Sequence, residues 1–205
     1  MSRHVLFVAM LLLASCMPPP PPPAPLEQVD MQVEAMNYRS DEELRSPAGD
    51  IVLPLPEGWT VLPSAQRLAE GTIGVALDSL GTMAAILQRV PPSDAIVAAL
   101  SQRDMRALAR ACFDRRLQRT GNTVRLSAAF RLSARDSLRF GTYTFTEHNA
   151  DSSQLSFTYV AVIPTVEGSV YELAVSPLDL ALDRRADNRR LDSIFQFLLR
   201  IVRVQ

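Results

Sequence analysis

Apolar residues recur along this chain in three rhythms. Between Val5 and Leu13 they form one uncharged run. From residue 73 to 90, and again from 124 to 176, they alternate with polar or small residues, the period of a strand. Around 105–112 and 191–201 they return every three or four positions, the period of a helix with one buried face.

The strands come first. Ile51-Val52-Leu53-Pro54-Leu55-Pro56-Glu57-Gly58-Trp59 is an extended lead-in whose prolines confine it to a sheet edge or strand end. Ile73, Val75 and Leu77 alternate, Asp78-Ser79-Leu80-Gly81 turns, and 82–90 returns, predicting a hairpin. Pro91-Pro92-Ser93-Asp94 stops the second strand and can cap a helix. Ser101-Gln102-Arg103-Asp104 reads as a second helix start, a capping box with Asp in the Glu position. Met105, Leu108, Ala109 and Cys112 then fall on one helical face, and Gly121-Asn122 ends the helix. Val124, Leu126, Ala128, Phe130 and Leu132 predict one long alternating strand. Residues 138–147, 155–164 and 169–176 predict a meander whose polar alternation implies one wet face. Leu191, Ile194, Leu198 and Ile201 line a closing helix that starts near Asp183. The order is β-hairpin, helix, four strands, helix. It predicts an α+β domain over residues 50–205, an antiparallel sheet packed with two main helices.

The first 49 residues follow different rules. Arg3 and the Val5–Leu13 run have the charge and length of a signal sequence, short of the ~20 residues that span a bilayer. Leu13-Ala14-Ser15-Cys16 follows at once. These four residues resemble the lipobox of bacterial lipoproteins. The resemblance implies that residues 1–15 are removed and that Cys16 becomes the first mature residue, its thiol diacylated. Each buried CH₂ adds ~0.8 kcal/mol, so two or three acyl chains anchor firmly where one does not. Cys16 is therefore the expected membrane contact. Met17, rather than Asp, follows it, which by lipoprotein analogy favours the periplasmic face of the outer membrane. Pro18–Pro23, Ala24 and Pro25 favour polyproline II, a semi-rigid spacer of ~25 Å. Leu26–Gly49 reads as polar linker with at most one short docking element. Residues 16–49 thus form anchor, spacer and linker.

Composition removes whole classes of chemistry. All 21 basic residues are Arg, so no lysine Schiff base or phosphate-loop Lys exists. Loss of Arg3 with the signal leaves 20 Arg against 22 acids, no general drive toward nucleic acid. With Cys16 lipidated and His4 removed, Cys112 and His148 are the only mature Cys thiol and His, too few for a zinc site. No cofactor or metal is expected. No dinucleotide, P-loop or hydrolase signature occurs.

The element order, with Leu53-Pro54-Leu55-Pro56-Glu57-Gly58-Trp59 ahead of the hairpin and Leu191-Asp192-Ser193-Ile194-Phe195 in the closing helix, resembles the PsbP-like fold. That superfamily includes photosystem II extrinsic proteins, a Ran-binding nuclear import factor and bacterial lipoproteins of the DcrB type. The resemblance implies an α/β/α sandwich and an accessory or adaptor role, and brings no catalytic residues with it.

Each remaining candidate has a plain alternative. Cys112 lies on the apolar stripe, so it reads as a buried structural thiol rather than a nucleophile. His148, beside Glu147 before a turn, reads as a surface His rather than a general base. Trp59 reads as a core anchor. Arg115-Arg116 and Arg184-Arg185 with Arg189-Arg190 have acids nearby and read as solvated helix faces rather than an anion patch. Asp41-Glu42-Glu43 lacks the alternating spacing of a calcium loop. The expected function is that of a membrane-anchored envelope lipoprotein with a non-catalytic domain that binds an unidentified envelope protein. A carrier with a small apolar pocket is the second reading, and a hydrolase built on His148 the third.

Overall fold

The computed structural model describes residues 27–28, 42–63, 69–148, 155–178 and 184–205. Cys16, the proline run and Asp41 lie outside these.

The strands are β1 (Glu27–Gln28), β2 (Glu43–Arg45), β3 (Ile51–Pro54), β4 (Thr60–Val61), β5 (Thr72–Leu77), β6 (Met83–Val90), β7 (Val124–Leu126), β8 (Arg131–Arg135), β9 (Leu138–His148), β10 (Leu155–Pro164), β11 (Val170–Pro177) and β12 (Arg203–Val204). The helices are α1 (Asp94–Ser101), α2 (Met105–Arg119) and α3 (Arg184–Ile201). The main sheet runs β1-β8-β9-β10-β11-β6-β5-β4, with β7 also paired to β9; a small sheet runs β12-β3-β2. The predicted hairpin and meander are present: β5 pairs β6, and β9, β10 and β11 pair in succession, all antiparallel.

The sheet separates two cores, and strand alternation assigns each residue to one of them. Val160, Val162, Val170 and Ala174 face α1 and α2, meeting Ile96, Ala99, Leu108, Ala109, Cys112 and Phe113. Ala161, Ile163, Tyr171, Leu173 and Val175 face the other way, onto Leu191, Ile194, Phe195 and Leu198 of α3 and Ile51, Leu53 and Trp59. Neither face of the meander is wet. Polar positions on β9 such as Thr142 and Thr146 are buried. The small sheet and α3 cover that side, so polar alternation marks tolerance of hydroxyls rather than contact with water. Trp59 is the core anchor expected of it, 5% exposed.

The long strand expected from Val124 to Leu132 is broken. β7 pairs with Phe145–Glu147 of β9 and β8 with 138–142, and the chain leaves the ladder between them. Phe130 is the physical reason. Its ring packs edge-on against Phe113 and Tyr143 at 6.1 and 5.9 Å, and the Arg110 guanidinium lies 5.5 Å over it. These contacts draw the segment under α2 at the expense of regular alternation.

The helical stretch after Val90 forms two helices. Ser93 caps α1, accepting from Ile96 N. The capping box expected at Ser101 does not form: Ser101 Oγ donates to Val97 O, and Asp104 itself caps α2 by accepting from Arg106 N and Ala107 N. Helix α2 then lies directly on β9 at Gly141, where a Cβ would come within 2.6 Å of Met105 O and 2.8 Å of Ala109 Cβ. Leu44, in the stretch read as linker, is 3% exposed and joins the α3-side core over Gly74. Among the described residues, no helix is long and apolar enough to cross a membrane.

Candidate functional site

At one end of the main sheet three turns and the C-terminal strand converge on a cleft of about 670 Å³. The α1–α2 link supplies Arg103 and Met105. The β8–β9 turn supplies 135–139, the β10–β11 turn supplies 164–166, and β12 supplies Val204. The volume lies in the range of small-ligand and peptide pockets.

Local backbone geometry holds the rim. Arg103 adopts a left-handed φ of 53° where helix ends usually place glycine. Its N–H donates to Leu100 O and the next N–H donates to Ala99 O, so the turn is closed by hydrogen bonds. Asp136 takes the same φ of 53° in the two-residue turn between Arg135 and Leu138, a conformation Asp tolerates better than most residues.

The charge of the cleft is positive. Three guanidiniums line it, from Arg103, Arg135 and Arg139, against the single carboxylate of Asp136. Arg135 reaches across to the C-terminal end of α3, donating to Leu199 O and Val202 O at 2.6 Å each and to Arg200 O. It satisfies the carbonyls that a helix end leaves without amide partners, and its charge opposes the helix dipole. Burial lowers its pKa, and the charge of Asp136 partly opposes that shift. Arg103 and Arg139 are exposed and form no ion pair among the described residues. The lining also includes Met105, Leu138, Pro164 and Val204, with Val166 89% exposed.

Beneath α2 sits a second polar cluster, this one closed to solvent. Glu172 on β11, 2% exposed, accepts from Tyr143 OH at 2.8 Å, from Arg116 Nη2 at 2.5 Å and from Gln88 Nε2. Arg116 Nε also donates to Tyr143 OH, and its guanidinium lies 4.9 Å over the Phe145 ring. Burial alone would lower the Arg116 pKa, but the charge of Glu172 and contact with Tyr143 more than offset it and hold the cation above its usual range. Burial first, and then Glu172, push the Tyr143 phenol well above its ordinary value. Every group here is used by another, which makes the cluster a structural clasp between α2 and the sheet. On the other side of the sheet, Asp50 accepts from Ser46 Oγ at 2.6 Å and Tyr171 OH at 2.7 Å. Burial raises the Asp50 pKa, but these hydroxyls outweigh it and hold the carboxyl below the usual range.

The residues singled out by sequence distribute as follows. Cys112 is buried and free, and burial, followed by the charge of Glu172, pushes its thiol pKa up. Arg116 is not a solvated helix residue: its side chain is 12% exposed and pairs with Glu172. Arg116 falls four residues after Cys112, on the apolar stripe itself, where the buried carboxylate of Glu172 meets it. Arg190 is exposed and pairs with Asp78 at 3.2 Å. The two arginine groups do not meet, because α2 and α3 lie on opposite faces of the sheet. Glu42 accepts from Val61 N and Glu43 pairs with Arg45. The side chains of His148, Arg184 and Arg185 lie outside the described residues. Sequence reasoning missed the clasp and the cleft. One signal for the clasp existed: on β11 the α2-facing positions read Val170, Glu172, Ala174, a lone carboxylate in an apolar row. The cleft had none: Arg135 and Arg139 share the β8–β9 turn, but nothing local in the sequence links them to Arg103 in the α1–α2 link.

No family model matches the chain, and no curated protein matches it. Solved structures do. The solution structure of cyanobacterial PsbP (CyanoP) from Synechocystis sp. PCC 6803 superposes with a TM-score of 0.55 at 12% identity, covering 80% of this chain and 92% of that one. The Saccharomyces cerevisiae Ran-binding protein Mog1p superposes with a TM-score of 0.53 at 14% identity, covering 80% and 94%. Likeness at these identities is likeness of fold: the domain has the α+β architecture of PsbP and Mog1p, as the order of its elements implied.

Proposed function

We infer that this chain is a lipid-anchored protein of a bacterial envelope whose PsbP-like domain is a non-catalytic module for binding a protein partner. Cys16 carries the acyl chains, the proline run holds the domain off the bilayer, and the periplasmic face of the outer membrane is the favoured location. The observation that carries the reading is the lipobox Leu13-Ala14-Ser15-Cys16 directly after an apolar run and directly before a proline spacer.

Binding rather than catalysis is supported by how the titratable groups are used. Arg116, Tyr143 and Glu172 satisfy one another, and the Cys112 thiol is buried and shifted away from reactivity. One protein with this fold is described as Ran-binding, which supports partner recognition as a use of the scaffold and carries no partner over to this chain. The arginine-lined cleft offers a binding surface, and its charge disfavours the apolar-carrier reading.

The test is acyl labelling in cells. The wild-type protein is expected to take up labelled fatty acid and to fractionate with membranes. Cys16→Ala is expected to lose the label and to leave the membrane or remain uncleaved. Persistent labelling of Cys16→Ala would overturn the anchor.

A further inference from the structure

The geometry points to the 670 Å³ cleft as a binding site for an acidic peptide segment, with carboxylates of the partner on Arg103 and Arg139 and apolar side chains along Met105, Leu138 and Val166. This deepens the reading of the domain as a binding module, and rests on it, by naming the chemistry of the partner.

Charge complementarity carries the inference. Arg103 comes from the α1–α2 link and Arg139 from the start of β9, far apart in sequence, and the fold brings both to one concave surface. Neither has an acidic partner among the described residues. Arg135 adds a third positive charge to the lining while its own hydrogen bonds go to the end of α3. It therefore contributes field and rigidity without needing a ligand. Guanidinium forks on fixed turns match carboxylates in a bidentate way.

The rest of the lining decides among anions. A nucleic acid tracks an extended basic surface, whereas this chain carries net charge −1 and three arginines gathered in one cleft. A small inorganic anion would use the charges and leave Met105, Leu138, Pro164, Val166 and Val204 without a role. Val166 is 89% exposed, and an apolar side chain in a lining with arginines suits a peptide that alternates acidic and apolar residues. Asp136 is the single carboxylate of the lining and adds a repulsive element against a carboxylate placed beside it.

The experiment is fluorescence anisotropy with the full chain in detergent and a labelled hexapeptide of alternating glutamate and leucine. Its glutamine–leucine counterpart is the control. The glutamate peptide is expected to bind, and the glutamine peptide to bind at least about tenfold more weakly, the scale of a lost charged hydrogen bond. Arg103→Gln and Arg139→Gln are each expected to weaken binding about tenfold with an unchanged thermal midpoint, since both side chains are exposed. Equal binding of both peptides, no binding of the glutamate peptide, or no effect of either substitution overturns the inference. So does displacement of the peptide by equimolar inorganic phosphate, which would make this a simple anion site, or by anionic phospholipid added to the detergent as mixed micelles, which would make it a membrane contact. None of these outcomes alters acyl labelling at Cys16, so failure here is distinct from failure of the anchor.

Discussion

Arg116→Met removes the cation from the buried clasp and leaves the Glu172 carboxylate 2% exposed with only Tyr143 OH and Gln88 as donors. Breaking a buried pair by removing one member typically costs about 3–5 kcal/mol, because the remaining charge is left without compensation. In a domain of this size each kcal/mol corresponds to about 2–4 °C, so the thermal midpoint is expected to fall by roughly 6–20 °C. Glu172→Gln leaves one acceptor oxygen where Tyr143 and the Gln88–Arg116 pair donate to two, and strands the Arg116 cation. The double variant is expected to cost less than the two single costs added, with a coupling of about 2 kcal/mol or more. Urea unfolding followed by circular dichroism measures all four corners. A cost for Arg116→Met below about 1 kcal/mol, or a coupling near zero between the two substitutions, refutes the clasp.

Three further outcomes follow from the packing. Gly141→Ala places a Cβ 2.6 Å from Met105 O and 2.8 Å from Ala109 Cβ, so α2 must shift; a loss of about 1–3 kcal/mol is expected in the same unfolding assay. Asp50 has a depressed folded pKa, so its contribution is present above the unfolded value and lost as pH falls through the folded one; Asp50→Asn should be less stable at pH 7 yet flatten the acid limb below about pH 4 in a pH series of thermal melts. The Cys112 thiol should resist alkylation at pH 8 until urea unfolds the domain, and Cys112→Ala should cost about 1 kcal/mol; rapid labelling of the native protein would contradict its burial.

Much of the fold was legible because its signals are local. Period-two alternation located β5, β6, β9, β10 and β11 to within a residue or two, and the stripe through Leu191, Ile194 and Leu198 located α3. What escaped depends on tertiary contacts. The break between β7 and β8 is caused by Phe130 packing against Phe113 and Tyr143, partners invisible in a window around residue 128. The double burial of the meander depends on β2, β3 and α3 covering one face, so its polar alternation misled. Arg116 reads as a surface residue until Glu172, more than fifty positions later, is placed opposite it. The cleft was illegible because Arg103 joins Arg135 and Arg139 only once the α1–α2 link packs beside the β8–β9 turn. Cys16 is the reverse case: its proposed role is written in four consecutive residues.

The central claim is that the domain is displayed from a membrane through Cys16. Mass spectrometry of the N-terminal peptide of the protein extracted from envelopes tests it most directly. The account predicts a mature chain that begins at Cys16 and carries a diacylglyceryl group on its sulfur. A chain that begins elsewhere, or an unmodified Cys16 thiol, contradicts it.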